Sequence, residues 1–140
     1  MSKQETSGSC LCGQVHVTLS SDPVISAVCH CTHCQKTAGA AFSTVLLMPA
    51  NAVSVEGPVI SYGDRADSGV AVSRTFCGNC GSPIETSSED TQVQQLRIIK
   101  AGLFAGVREF SPQLELFCSS RLSWVPALPG TTTFTGMPQQ

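Results

Sequence analysis

Three thiols fall within six residues at Cys29-His30-Cys31-Thr32-His33-Cys34, flanked by Cys10-Leu11-Cys12-Gly13 before and Phe76-Cys77-Gly78-Asn79-Cys80-Gly81 after. An eighth cysteine, Cys118, stands alone. Ionised thiols are soft ligands, and short spacings aim several of them at one point. Cys10, Cys12, Cys77 and Cys80 make the usual four-thiolate set of a structural zinc. The glycines that follow each pair omit a Cβ where the chain must turn sharply with amides toward the metal. Cys29, Cys31 and Cys34 make three ligands, one short of a tetrahedron, and an open fourth position is the mark of a catalytic zinc. A substrate thiol is the natural occupant of that position, held as a thiolate by the ion near neutral pH. His30 and His33 neighbour ligands directly and are expected to point elsewhere, His30 into a pocket and His33 as a general acid-base group. The opposing reading lets one of them, or Cys118, close the tetrahedron and make the site structural.

Two rival uses of the thiols are weaker. Four disulfides would suit a secreted chain, but Cys-x-Cys pairs bridge each other poorly and Met1-Ser2-Lys3-Gln4-Glu5-Thr6 lacks the apolar segment of a signal peptide. A redox Cys77-x-x-Cys80 pair would need a βαβ setting that the pattern does not provide. A cytoplasmic location is the resulting expectation, since reduced thiols persist there.

Only 13% of the 140 residues are charged, the formal charge is −2, and basic residues such as Lys36, Arg65, Arg74, Arg97 and Arg108 are scattered. No nucleic-acid footprint is expected. No apolar run approaches the roughly 20 residues of a membrane span, so no membrane partner is expected either.

The elements that must position the cysteines read as short strands. Val15, Val17 and Leu19 alternate with polar neighbours, a period of two. Residues 24–28 form a strand that delivers the chain to Cys29, and Thr32 to Lys36 make a helical turn. Further strands are predicted over 42–48, 53–56, 59–62, 70–76, 83–86, 92–100 and 114–118, punctuated by Gly and Pro. Many short strands and no long amphipathic helix predict a mainly β domain. Residues 1–9 are expected as a disordered tail, 10–125 as the zinc-binding domain, and 126–140 as a C-terminal extension. Gly39, Phe42, Tyr62 and Arg74 join His30 as candidates for a substrate pocket.

These blocks, with Gln35-Lys36-Thr37-Ala38-Gly39 after Cys34 and Ser82 after Gly81, closely resemble the glutathione-dependent formaldehyde-activating enzyme family, also called the GFA or centromere-protein-V-like family. Gly57, Tyr62 and Ser120-Arg121-x-x-Trp124 fit as well. The resemblance implies an Mss4-like fold of small twisted antiparallel sheets stapled by zinc. It implies two zinc ions per chain, structural on Cys10, Cys12, Cys77 and Cys80, and labile or catalytic on Cys29, Cys31 and Cys34. It further implies a carbon–sulfur lyase that adds glutathione to formaldehyde, so a small-molecule thiol is the expected partner, as substrate or cosubstrate; a homodimer is admitted. The alternative is a non-catalytic, zinc-stabilised binding module, in which the second site is filled by protein or empty. One departure stands out. The family often places a His-Ile pair where this chain has Glu115-Leu116, so Glu115 either replaces a working histidine or occupies a tolerant surface position.

Overall fold

The alternation at Val15, Val17 and Leu19 builds the inner layer: all three are buried while His16 between them faces solvent. The computed structural model of the chain describes residues 5–138. Strand β2 (His16–Leu19) is flanked antiparallel by β1 (Thr6–Ser9) and β5 (Val53–Glu56), a three-stranded sheet. The expected disordered tail is corrected over its described part. Residues 6–9 pair in register with residues 16–19, because the open edge of β2 offers backbone partners to any extended segment, however polar. Residues 1–4 of that expected tail lie outside the described residues.

The remaining strands are β3 (Ile25–Cys29), β4 (Ser43–Pro49), β6 (Val59–Arg65), β7 (Ala71–Cys77), β8 (Pro83–Ser88), β9 (Leu96–Lys100), β10 (Leu114–Leu116) and β11 (Thr132–Thr133). They form one eight-stranded sheet in the order β11-β10-β3-β4-β9-β8-β7-β6. The architecture is mainly β, as expected, but the expectation of small antiparallel sheets alone is corrected. β10 runs parallel to both β3 and β11, giving a mixed sheet. The reason is separation: 84 residues lie between Cys29 and Leu114, ample chain to return to the β3 edge in the same direction. Nor does the segment after Pro126 behave as an appendage, since β11 adds to the sheet and Phe134 donates its backbone N–H to the Glu115 carbonyl at 2.9 Å.

The core lies between the two sheets. Val15, Val17 and Leu19 meet Met48, Ile84 and Ile99 from β4, β8 and β9, with Ala52 and Phe104 at the side. Cys10 and Cys77 belong to the same buried cluster, so the four-cysteine block is part of the core's rim. The strand predicted over 92–100 is corrected to a helix end followed by a shorter strand. Ser88 caps a short helix α2 (Glu89–Val93) reciprocally with Thr91, two acidic residues fill its first turn, and β9 takes only the β-branched half. No helix among the described residues is long and apolar enough to cross a membrane.

Candidate metal centre

Cys10 and Cys12 sit on a tight turn between β1 and β2, and Cys77 and Cys80 on the turn from β7 toward β8. Both trailing glycines take positive φ, 84° at Gly13 and 80° at Gly81, as a side-chain-free turn demands. The four ligand atoms lie within 4.8 Å of one another, with Sγ–Sγ separations of 3.6 Å for Cys10–Cys12 and 3.8 Å for Cys12–Cys77. A tetrahedral ion with Zn–S bonds of about 2.3 Å holds its sulfurs about 3.8 Å apart, so the spacing fits. Backbone N–H groups are aimed at the sulfurs: Val15 donates to Cys10 at 3.2 Å, and Asn79 and Cys80 donate to Cys77 at 3.4 Å. Such donors favour thiolates. The Ser82 hydroxyl lies 3.2 Å from Cys80 Sγ and, with backbone donors, lowers that thiol to about 5.

Cys29 ends β3, and α1 (Thr32–Ala38) begins immediately after Cys31. Cys31 is the helix N-cap, its sulfur accepting the Cys34 N–H at 3.2 Å, and Gly39 at φ 61° closes the far end. Two cysteines of the trio are therefore placed by one helical turn and the third by a strand end. Their ligand atoms also lie within 4.8 Å of one another, Cys29 and Cys34 at 3.4 Å. Crowding separates their acidities. Hydrogen bonds from the Cys29 and Cys34 thiols pull Cys31 down to about 2. Cys29 is pushed far up, first by Cys31, then by Cys34 and burial. Cys34 also rises: the Cys29 thiol pulls it down, but Cys31 and burial outweigh that. Three sulfurs this close can all be anionic only around a cation, so the donor set itself fits a metal. All eight cysteines are unbridged.

Among the described residues this group closes at three ligands. His33 turns to carboxylates, its Nδ1 2.8 Å from Asp64 and its Nε2 3.2 Å from Asp67; these two contacts raise its pKa. His30 is 0% exposed, its Nε2 3.0 Å from the Glu115 carboxylate and its ring edge-on to Phe42 at 5.3 Å. Cys118 groups with His30 and Glu115, not with the trio.

Tyr62 and Arg74 do line a cavity, of about 280 Å³, together with Thr37, Phe76 and Lys100. Gly39, Phe42 and His30 do not. Gly39 serves as a helix cap, His30 is buried, and Phe42 is half-buried against the His30 ring.

With this geometry in hand, comparison with known proteins is decisive on family. The sequence profile of the glutathione-dependent formaldehyde-activating enzyme family, GFA, matches residues 5–120. The chain belongs to this family. Two fungal relatives, each bearing that enzyme name provisionally, align over 75 residues, or 51% of this chain. One, from Phaeosphaeria nodorum, is 37% identical, and the other, from Talaromyces marneffei, is 35% identical. The aligned segment spans only 37% and 38% of their own lengths. A crystal structure of a Rhodobacter sphaeroides protein superposes with a TM-score of 0.56 at 15% identity, covering 72% of this chain and 89% of that one, a likeness of fold.

Sequence reading of this GFA chain missed Asp64 and Lys100 near the trio and left the placement of Glu115 open. Asp64 is held at about 2 by His33 and Arg74, and it joins the helix bearing Cys34 to β7. Lys100, whose pKa burial lowers, donates to Ser43 at 2.8 Å and feels the charges of Cys34, Cys29 and Cys31. Glu115 is 0% exposed rather than a surface residue. A lysine directly after the apolar pair Ile98-Ile99 was the one signal available for Lys100; nothing local marked Asp64.

Proposed function

We propose that the chain is a zinc-dependent enzyme that forms or cleaves carbon–sulfur bonds, a lyase of the GFA type, with glutathione or a similar thiol as substrate or cosubstrate. In this reading Cys10, Cys12, Cys77 and Cys80 hold a structural zinc, and Cys29, Cys31 and Cys34 hold a catalytic one. The supporting observation is that the middle trio gathers three sulfurs and, among the described residues, no fourth protein ligand, while Cys31 and Cys34 remain partly exposed. Zinc there supplies a Lewis acid that keeps a substrate thiol ionised near neutral pH.

The chain's own residues do the remaining work. Cys31, capping α1, and Cys29, at the end of β3, fix the corners of the site through backbone geometry. The substrate sulfur attacks the carbonyl carbon of a small aldehyde: the carbon–sulfur bond forms, the C=O pair moves to oxygen, and the proton lost by the thiol ends on that oxygen. The reverse reaction splits the adduct. In this reading His33 carries that proton. Its Nδ1 is braced by the half-buried Asp64, and its Nε2 is held only by Asp67, whose side chain is 91% exposed and can swing away.

The test is exchange NMR of glutathione with 13C-labelled formaldehyde. The zinc-loaded chain is expected to speed interconversion with the S-hydroxymethyl adduct above the uncatalysed rate, and Cys31→Ser to abolish the gain. A metal-loaded chain that leaves the exchange rate unchanged would refute the enzyme reading.

A further inference from the structure

Among the described residues β6 ends the eight-stranded sheet, and nothing within it discourages a further strand. It pairs with β7 over all seven of its residues without a bulge, and only β4 and β7 are as long. A sheet edge is ordinarily blunted by lysine, proline, a bulge or shortness. The other described sheet ends use shortness, with four residues in β1 and β5 and two in β11. In β6 the only charges, Asp64 and Arg65, come last, and Pro58 lies just outside it. Three of its large hydrophobic side chains, Val59, Ile60 and Tyr62, are 41–64% exposed.

The backbone bonds identify which groups are free. Gly78 donates its N–H to the Pro58 carbonyl at 2.8 Å, and Ala66 donates to the Val70 carbonyl at 2.9 Å. Both bonds turn even-numbered positions toward β7. By the alternation of an antiparallel ladder, the N–H and C=O groups of Val59, Ser61 and Gly63 therefore point out from the edge. Arg65 closes the row, because its N–H donates to the Asp64 carboxylate at 2.7 Å. Ile60 and Tyr62 stand opposite Phe76 and Arg74 and share with them the face that carries the cavity beside the trio.

We propose that this edge is a dimer interface, in which β6 of a second copy of this chain pairs antiparallel about a two-fold axis centred on Ser61. Val59 then faces the partner's Gly63 and Ser61 the partner's Ser61, closing about six backbone hydrogen bonds. Ile60 meets the partner's Tyr62, a cross-strand pair of β-branched and aromatic side chains that symmetry provides twice. Charge selects the direction. An in-register parallel pairing sets Asp64 and Arg65 beside their own copies, whereas the antiparallel one carries Arg65 past the partner's Pro58 toward the partner's Glu56, both being exposed. Moving the axis to Tyr62 opposes Asp64 to the partner's Ile60 and calls on the Arg65 N–H that is already taken. In the Ser61-centred pairing the partner's Ile60 packs beside Tyr62, a wall residue of the 280 Å³ cavity, so the two three-cysteine sites share one face of a continuous sheet. One strand edge buries less than the roughly 1,600 Å² of a standard interface, so the dimer is concentration-dependent, with Kd of about 1–100 μM. The inference is independent of the thiol reading.

Sedimentation velocity of the zinc-loaded full chain between about 1 and 500 μM is expected to show monomer passing into dimer. Amide exchange read by NMR at about 20 and 500 μM gives the register: Val59, Ser61 and Gly63 are expected to slow about threefold at the higher concentration, while Ile60 and Tyr62, already bonded to β7, change little. Ser61→Lys sets two ammonium groups opposite each other at the axis and gives up within the chain only the hydroxyl contact to Thr75 at 2.8 Å. It is expected to weaken the dimer at least about fivefold. The wild-type exchange pattern decides the register should that variant fail to fold. A monomer throughout the range overturns the proposal and leaves the edge to a strand from another protein. So does a dimer in which those three amides exchange as fast as in the monomer, or one that Ser61→Lys leaves as tight as before.

Discussion

Glu115 gathers four donors from three parts of the chain. Its carboxylate accepts from His30 Nε2 at 3.0 Å, Arg121 at 2.9 Å, the Leu128 N–H at 3.1 Å and the Thr131 hydroxyl at 2.6 Å. Burial pushes this carboxyl up, but Thr131, Arg121, His30 and Leu128 outweigh it and bring it from 4.5 to about 2. The sign follows: a depressed folded pKa stabilises the fold above pH 4.5, and that contribution drains away as pH falls toward about 2. Glu115→Ala is expected to cost about 3–5 kcal/mol in denaturant unfolding at pH 7, because it strands buried donors and the Arg121 charge. Glu115→Gln, which keeps the shape, should cost less, and its deficit relative to wild type should shrink as pH falls from 4.5 toward about 2. A Glu115→Ala chain as stable as its parent would contradict the picture. The sequence singled out the position but not these partners. The partners stand 85 residues upstream or 6 to 16 downstream, and no local pattern announces such a meeting.

Among the elements, the turns around the four-cysteine block carry the tightest constraint. Gly57, between β5 and β6, has φ 123°, and a Cβ there would lie 2.3 Å from the Gln14 carbonyl oxygen and 2.8 Å from Val15 Cα. Both obstacles are backbone, directly after the Cys10–Cys12 turn. Gly57→Ala combines a disfavoured conformation with a clash, and roughly 2–4 kcal/mol of stability should go. Zinc analysis of the purified variant should show metal lost from the four-cysteine block ahead of the trio; unchanged stability and full metal content would count against the close approach. At this scale much was readable. Alternation predicted β2, Val53–Glu56 was placed to the residue, and the turn after Cys31 was expected as helical. The α2 helix was hidden because its cap is a polar Ser88–Thr91 pair inside what reads as a turn.

For the molecule as a whole, the proposed structural zinc would tie stability to metal, since Cys10 and Cys77 belong to the buried core. A structural zinc contributes to folding free energy directly, about 10–16 kcal/mol in small zinc domains. Chelation of the two-zinc chain is expected to occur in two stages. The partly exposed trio should release first with the β signal in circular dichroism unchanged, and the four-cysteine ion should leave only with unfolding. Cys80→Ser should lower the melting temperature by about 10 °C or more, whereas Cys31→Ser should stay within about 3 °C of wild type. Equal losses in the two variants would contradict the division between a structural and a working site.

The grouping of seven cysteines into a set of four and a set of three was legible in the sequence alone, because short spacings are local facts. The strands came with them, since a period of two is also local. Tertiary structure decided which groups stand beside the trio. His30 turns inward to Glu115, Lys100 and Arg74 face a common cavity, and β10 with the C-terminal segment completes the sheet next to β3. Those placements depend on pairings across tens of residues, where backbone hydrogen bonding and burial choose the partner and side-chain identity leaves little trace.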